Sequence, residues 1–231
     1  MAQSLPQMSR ALSQFFDVGF HGDKFLMDFV EAAARRSVQF VETGANVGST
    51  LCYFAARHPL IRCYSCEPDA ASCQFARRKA QGLKNARVCH QSSPEFLATL
   101  VKEDPSMLTR KETIFWLDSH GWGFPWPLCQ EVEFVTRNFA GAWLFIDDFK
   151  VPGQSQFLYD EYDGQVCAFE TIANSMKPAV DYRLYYPKYT EKTSLHHPLK
   201  GWVMIEFGQS APLEIPNGLA DKIFMTSYVR G

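Results

Sequence analysis

Four short segments bring carboxylates, glycines and a histidine into patterns that could do chemistry. The first, Phe40-Val-Glu-Thr-Gly-Ala-Asn-Val-Gly-Ser-Thr50, sets Glu42 two residues before Gly44, then a second glycine at Gly48. Glycines at such a turn permit positive φ and let backbone approach a ligand closely. A helix opening near Ser49 would add amide donors and a positive dipole end. The second, Tyr64-Ser-Cys-Glu-Pro-Asp69, places Glu67 about 20 residues further on, where an acid accepts hydrogen bonds from ribose hydroxyls.

The third and fourth are Phe115-Trp-Leu-Asp-Ser-His120 and Leu144-Phe-Ile-Asp-Asp-Phe149. In a doubly wound sheet their carboxylates lie beside the glycine turn, so Asp118, Asp147 and Asp148 are expected to converge. Clustered carboxylates repel unless something positive sits among them. Hard oxygen ligands suit Mg²⁺ or another divalent cation. His120, two residues past Asp118, could take a proton near neutral pH.

The glycine turn discriminates between adenosyl ligands. Nicotinamide and flavin folds prefer G-x-G-x-x-G, whereas this turn is Glu42-x-Gly44-x-x-x-Gly48. A pyrophosphate would be poorly placed beside Glu42, while the ammonium of a methionine moiety would suit it. The pattern resembles motif I of class I S-adenosylmethionine-dependent methyltransferases. From Phe40 to about Phe149 the chain resembles the metal-dependent O-methyltransferases of sugars and antibiotic precursors, the macrocin and aminocoumarin-sugar group. That resemblance implies Asp118, Asp147 and Asp148 as Mg²⁺ ligands and His120 as the base that accepts the hydroxyl proton. It also implies cofactor contacts from Glu42, Gly44, Asn46, Gly48, Ser49, Glu67, Ser93 and Asp118, with Ser92–Leu97 beside the adenine. The chain departs from the group in two ways: some relatives use Asp as the base, and the loop Gly121-Trp-Gly-Phe-Pro-Trp-Pro127 is unusually aromatic. Trp122, Phe124 and Trp126 are candidates for an apolar acceptor wall.

The same residues admit plainer roles. Asp118 could cap a helix or hold a cofactor hydrogen bond, His120 could be a packed loop histidine, and the three aromatics could be core. His196-His197 reads as exposed polar residues rather than a metal pair. Cys63 and Cys66 form a C-x-x-C inside a strand-like run, where that offset sends the side chains to opposite faces, and no second ligand pair accompanies them. Two other function classes stay open: a nicotinamide-dependent oxidoreductase, which would share Glu67, and a non-catalytic S-adenosylmethionine-binding module. The latter would be expected to lose Asp118 or the Asp147–Asp148 pair.

The elements that must position these groups are legible from periodicity. Short apolar runs at Val38–Glu42, Ile61–Cys66, Ala86–His90, Thr113–Leu117 and Ala142–Ile146 alternate with helical patterns at Ser49–Arg57, Ala70–Gln81, Pro94–Lys102 and Leu128–Asn138. This rhythm predicts an α/β fold, Rossmann-like and doubly wound, with a mainly parallel sheet and helices on both faces. Beyond Asp148 a helix is expected over Val166–Met176, then strands Tyr182–Tyr186 and Trp202–Phe207 as an antiparallel hairpin at one edge. Residues 1–36 read as a helical extension, with a stripe of Phe25, Leu26, Phe29 and Val30, and 37–231 as the binding core of one domain.

Composition bounds the partners. The chain has 231 residues, 46% hydrophobic and 21% charged, with a formal net charge of −2. No strong field points to nucleic acid or an anionic membrane. The longest uncharged run, Thr43–Ala56, is too short and too polar to span a bilayer, and the N-terminus lacks the pattern of a secretory signal. An odd count of 7 cysteines reads as reduced thiols. The expectation is a cytoplasmic protein with a small-molecule acceptor, no nucleic-acid or membrane partner, and self-association left open.

Overall fold

The computed structural model describes residues 18–121, 123–194 and 197–230. The expected helix over the first 17 residues and the side chains of Trp122 and His196 lie outside that set. At the described start, a single 3-10 turn over Phe20–Gly22 leads into α1 (Lys24–Ala34). Asp23 caps α1 by accepting from the amides of Phe25 and Leu26 at 3.0 and 3.3 Å. The predicted stripe faces inward, and Phe29 packs against the rings of Phe145, Tyr185 and Trp202.

Alternation then follows as the sequence predicts. The strands are β1 (Gln39–Thr43), β2 (Arg62–Cys66), β3 (Ala86–Cys89), β4 (Thr113–Leu117) and β5 (Ala142–Ile146). Between them lie α2 (Ser49–Arg57), α3 (Ala70–Lys79), α4 (Ser93–Glu103) and α5 (Leu128–Asn138). β1, β4 and β5 are buried along their whole length, which is why they read as unbroken apolar runs rather than alternating ones. Helix starts are specified locally: Asp69 accepts from Ser72 N at 2.8 Å, and Glu95 accepts from both the amide and hydroxyl of Ser92.

Further along come β6 (Glu161–Tyr162), β7 (Gln165–Val166), α6 (Phe169–Ile172), β8 (Asp181–Pro187), β9 (Val203–Phe207) and β10 (Ile223–Val229). One eight-stranded sheet has the order β10-β8-β9-β5-β4-β1-β2-β3, and β6 and β7 pair separately. β1 to β5 are mutually parallel and the last three strands antiparallel. This is the Rossmann-like fold that the rhythm predicts. The antiparallel pair is present, but β10 covers it and forms the edge instead.

Two local differences have physical causes. The helix expected over Val166–Met176 shrinks to α6, because Cys167 spends its amide on Asp160 O and its carbonyl on Lys150 N. Those long-range bonds hold the segment extended through Ala168. β10 carried no period-two signal because most of it is exposed, Met225 and Val229 included. No helix among the described residues is long and apolar enough to cross a membrane. All 7 cysteines are free thiols, Cys63 and Cys66 buried among them.

Candidate functional site

Strand order reverses between β1 and β4, and ligands of open α/β sheets bind at the carboxyl ends flanking such a switch point. Register determines who stands there. Thr43 is level with Cys66 and with Leu117, and Leu117 is level with Ile146. The next residue along each strand is therefore Gly44, Glu67, Asp118 and Asp147. Backbone bonds extend the ladder to them: Asp118 N donates to Thr43 O, and Asp147 N to Leu117 O.

A cavity of about 490 Å³ opens above this row. Gly44, Asn46, Glu67, Ser93 and Asp118 line it, together with Asp69, Ser72 and Gln130. Glu67 is 8% exposed and braced at both oxygens, by Asn46 N at 2.7 Å and by Asp69 N at 2.9 Å. Phe124 lies at the same cavity, whereas Trp126 packs on Tyr162 and donates to Ser119 O.

Three of the expected cofactor residues do not line the cavity. Glu42 is fully buried beneath it, with Ser65 Oγ donating to its carboxylate at 2.5 Å. Burial pushes its carboxyl up to about 8, so it holds a proton at neutral pH instead of presenting a charge. Gly48 packs on Ala76, and Ser49 accepts from Lys79 Nζ at 3.0 Å. The need for Gly44 also differs from the expectation. A Cβ there would meet the carbonyl oxygen of Asp118 at 2.3 Å, so the glycine permits two loops to touch as well as permitting φ +80°.

Beyond Asp118 the cavity wall continues into a charged cluster. His120 Nε2 lies 3.2 Å from Asp118 Oδ1, and its Nδ1 lies 2.6 Å from the Tyr162 hydroxyl and 3.1 Å from Asp160 Oδ2. Tyr162 in turn donates to Asp160. Lys200 Nζ sits 2.6 Å from Asp148 Oδ1 and 3.5 Å from Asp160 Oδ1. His21 Nε2 lies 2.5 Å from Asp147 Oδ2. Asp148 takes φ +48°, a conformation that costs a side-chain-bearing residue energy.

Among the described residues, ligand spacing is met by two sets of three, which divide the expected trio Asp118–Asp147–Asp148 between them. In each of His21–Asp147–Asp148 and Asp118–His120–Asp148, the donor atoms lie within 4.8 Å of one another. The reason is local pairing. Trp116 Nε1 and His120 hold the two oxygens of Asp118, while His21 draws Asp147 to its own side. Asp147 Oδ1 is buried and has no hydrogen-bond partner, an arrangement that costs free energy unless a cation or donor completes it. The residues present fit a divalent cation on that ground.

Charges in the cluster shift strongly. Burial opposes protonation of His120, but its hydrogen bonds to Asp118 and Asp160 outweigh burial and push it up to about 11. His21 follows the same balance, with Asp147 pushing it up to about 10. Both are therefore imidazolium beside these carboxylates. Burial and the neighbouring Asp147 push the Asp148 carboxyl up.

His21, Asp160, Tyr162 and Lys200 were not anticipated. Asp160 and Tyr162 had a usable signal in Asp163-Gly164, the dipeptide of a two-residue hairpin, here with φ 51° and 77° between β6 and β7. Lys200 reaches the site because β9 runs antiparallel to β5, which brings Gly201 beside Phe149.

No family model matches the chain, and no curated protein matches it. Solved structures share its fold. A candidate O-methyltransferase from Klebsiella pneumoniae superposes with a TM-score of 0.59 at 15% identity, over 90% of this chain and 93% of that one. An O-methyltransferase from Bacillus cereus in complex with SAH gives 0.57 at 13%, over 87% and 88%. The O-methyltransferase TomG from Streptomyces achromogenes, involved in tomaymycin synthesis and in complex with SAM, gives 0.56 at 12%, over 90% and 82%. At these identities the likeness establishes a Rossmann-like fold.

Proposed function

We propose that the chain is an S-adenosylmethionine-dependent O-methyltransferase acting on a hydroxyl of a small molecule, such as a sugar or secondary metabolite, with a divalent cation. The observation that carries this reading is the charge of the cavity. Among the described residues its lining includes Glu67, Asp69 and Asp118, with His120 as the single basic side chain, so it favours a cationic ligand over a pyrophosphate. The turn amides point the same way. Those of Gly44 and Ala45 bond to Cys66 O, that of Asn46 to Glu67, and that of Gly48 to Ala45 O. They are spent on protein acceptors, whereas a dinucleotide-binding turn offers such amides to phosphate.

When bound, S-adenosylmethionine supplies a methyl group on a sulfonium, already activated for displacement by an oxygen nucleophile. A divalent cation at the carboxylates supplies a Lewis acid that lowers the pKa of a nearby hydroxyl. The protein's own residues then orient and deprotonate. Glu67, fixed by Asn46 and Asp69, accepts the ribose hydroxyls. Asp118 stands at the junction of cavity and acid cluster and aims His120 through the 3.2 Å contact at Nε2. The imidazole of His120, oriented at Nδ1 by Tyr162 and Asp160, would accept the acceptor's proton at Nε2 when neutral. Phe124 and the proline-rich loop exclude water from the transfer path.

A thermal-shift panel tests the cofactor class. S-adenosylhomocysteine is expected to raise the melting temperature through mass action, and nicotinamide dinucleotides to leave it unchanged. Stabilisation by a nicotinamide dinucleotide and none by S-adenosylhomocysteine would overturn the reading.

A further inference from the structure

We propose that His21 is itself a metal ligand, so that the cation is held by a mixed nitrogen and oxygen set, His21 Nε2 with Asp147 and Asp148. The inference rests on the divalent-cation reading above and goes beyond it in naming a ligand, a chain segment and a metal preference. Three observations support it. First, the donor atoms of these residues lie within 4.8 Å of one another, and His21 Nε2 is already 2.5 Å from Asp147 Oδ2. Adjacent ligands about 2.1 Å from one octahedral ion are about 3 Å apart, so binding requires only a small spread of that pair.

Second, Asp147 Oδ1 is buried without a partner, in a side chain 2% exposed. Asp118 Oδ1 and Asp148 Oδ1 also lack a hydrogen bond but have ion pairs with His120 and Lys200, whereas a buried carboxylate oxygen such as Asp147 Oδ1 costs free energy unless a cation or donor completes it. Of the other imidazoles nearby, His197 packs 5.1 Å from the His21 ring, and His120 contacts Asp118 at Nε2 and Tyr162 with Asp160 at Nδ1.

Third, the residues flanking His21 are tied into the fold. The Phe20 ring is buried edge-on against Phe40, Tyr53 and Trp116. Asp23 both caps α1 and accepts from the Tyr189 hydroxyl, which in turn accepts from Trp202 Nε1 at 3.1 Å. Between these anchors the backbone is left-handed at both Phe20 (φ 54°) and His21 (φ 53°). The segment before α1 is thereby held in a costly conformation that delivers an imidazole to an acid pair 126 residues away.

A nitrogen donor shifts preference from Mg²⁺, which favours all-oxygen sites, towards Mn²⁺ and later first-row ions. Titration of the full chain with Mn²⁺ alone, read by electron spin echo, tests this. The expected result is ¹⁴N modulation from a directly bound imidazole that persists in His120→Ala and disappears in His21→Ala. Uniform ¹⁵N-histidine labelling of the unmutated protein must change the pattern, which keeps the test independent of how the variants fold. His21→Ala is also expected to weaken Mn²⁺ by more than about 10-fold, the least that loss of even an outer partner costs, and to narrow the Mn²⁺ over Mg²⁺ preference. Bound Mn²⁺ without nitrogen modulation, or with modulation lost only in His120→Ala, would overturn the role of His21 and leave the metal reading standing. No Mn²⁺ binding at all would overturn both.

Discussion

The carbonyl oxygen of Asp118 occupies the space that a side chain on Gly44 would need, with 2.3 Å between it and an ideal Cβ. The turn that would hold the methyl donor and the loop that opens the acid cluster therefore lean on one another. Gly44→Ala must displace residues 118 and 119 or distort a backbone at φ +80°. The expected cost is roughly 1–3 kcal/mol of overpacking, read by denaturant unfolding. S-adenosylhomocysteine and Mn²⁺ affinity should both fall. Loss of the first with the second untouched and full stability would show that the two sites are not coupled through this contact.

Glu42 makes stability depend on pH in a predictable direction. Its carboxyl is raised from 4.5 to about 8 by burial, so the folded chain holds a proton that the unfolded chain has released. The contribution is fully present below about pH 4.5 and declines as pH rises through 8. Glu42→Gln mimics the protonated form and should flatten the fall in melting temperature between pH 5 and 9. Identical slopes in the two proteins would mean that Glu42 is ionised in place.

Metal binding should be visible without an acceptor. At a concentration about 100 times its dissociation constant, Mn²⁺ should stabilise the unmutated protein by about 2.7 kcal/mol. Asp147→Ala should abolish the response, because it removes the buried carboxylate shared by His21 and the unpartnered oxygen. An unaltered thermal shift in Asp147→Ala would move the cation elsewhere.

His120 is placed to act on the proton of the acceptor rather than on the donor. His120→Ala should cut turnover on an identified acceptor by roughly 10²–10⁴ and leave S-adenosylhomocysteine affinity nearly unchanged. His120→Asp should recover part of the rate. Full turnover in His120→Ala would make the imidazole a brace between Asp118 and Asp160.

What the sequence discloses follows from the range of the interactions involved. Thr113–Leu117, Ala142–Ile146, Ser49–Arg57 and Leu128–Asn138 are read with their observed bounds, since continuous burial decides the strands and Gly48 and Pro127 punctuate the chain just before the two helices. The row Gly44, Glu67, Asp118, Asp147 is equally legible, because residues just past parallel strands in register must meet. Glu42 misleads: its spacing fits a cofactor contact, yet its side chain turns under the cavity to Ser65. His21 and Lys200 are silent for the opposite reason. Each reaches the cluster from a distant segment, one through the anchors at Phe20 and Asp23, the other through the antiparallel pairing of β9 with β5.

The central claim is that the cavity beside Glu67 takes the adenosyl part of a methyl donor. Titration calorimetry of S-adenosylhomocysteine into the unmutated chain and into Glu67→Ala tests it most directly. The account predicts saturable binding at one site per chain, weakened in the variant by roughly 1–3 kcal/mol through loss of a charged acceptor and of the brace on Asn46 and Asp69. Absence of heat with the unmutated protein, or equal affinity in the two, would contradict it.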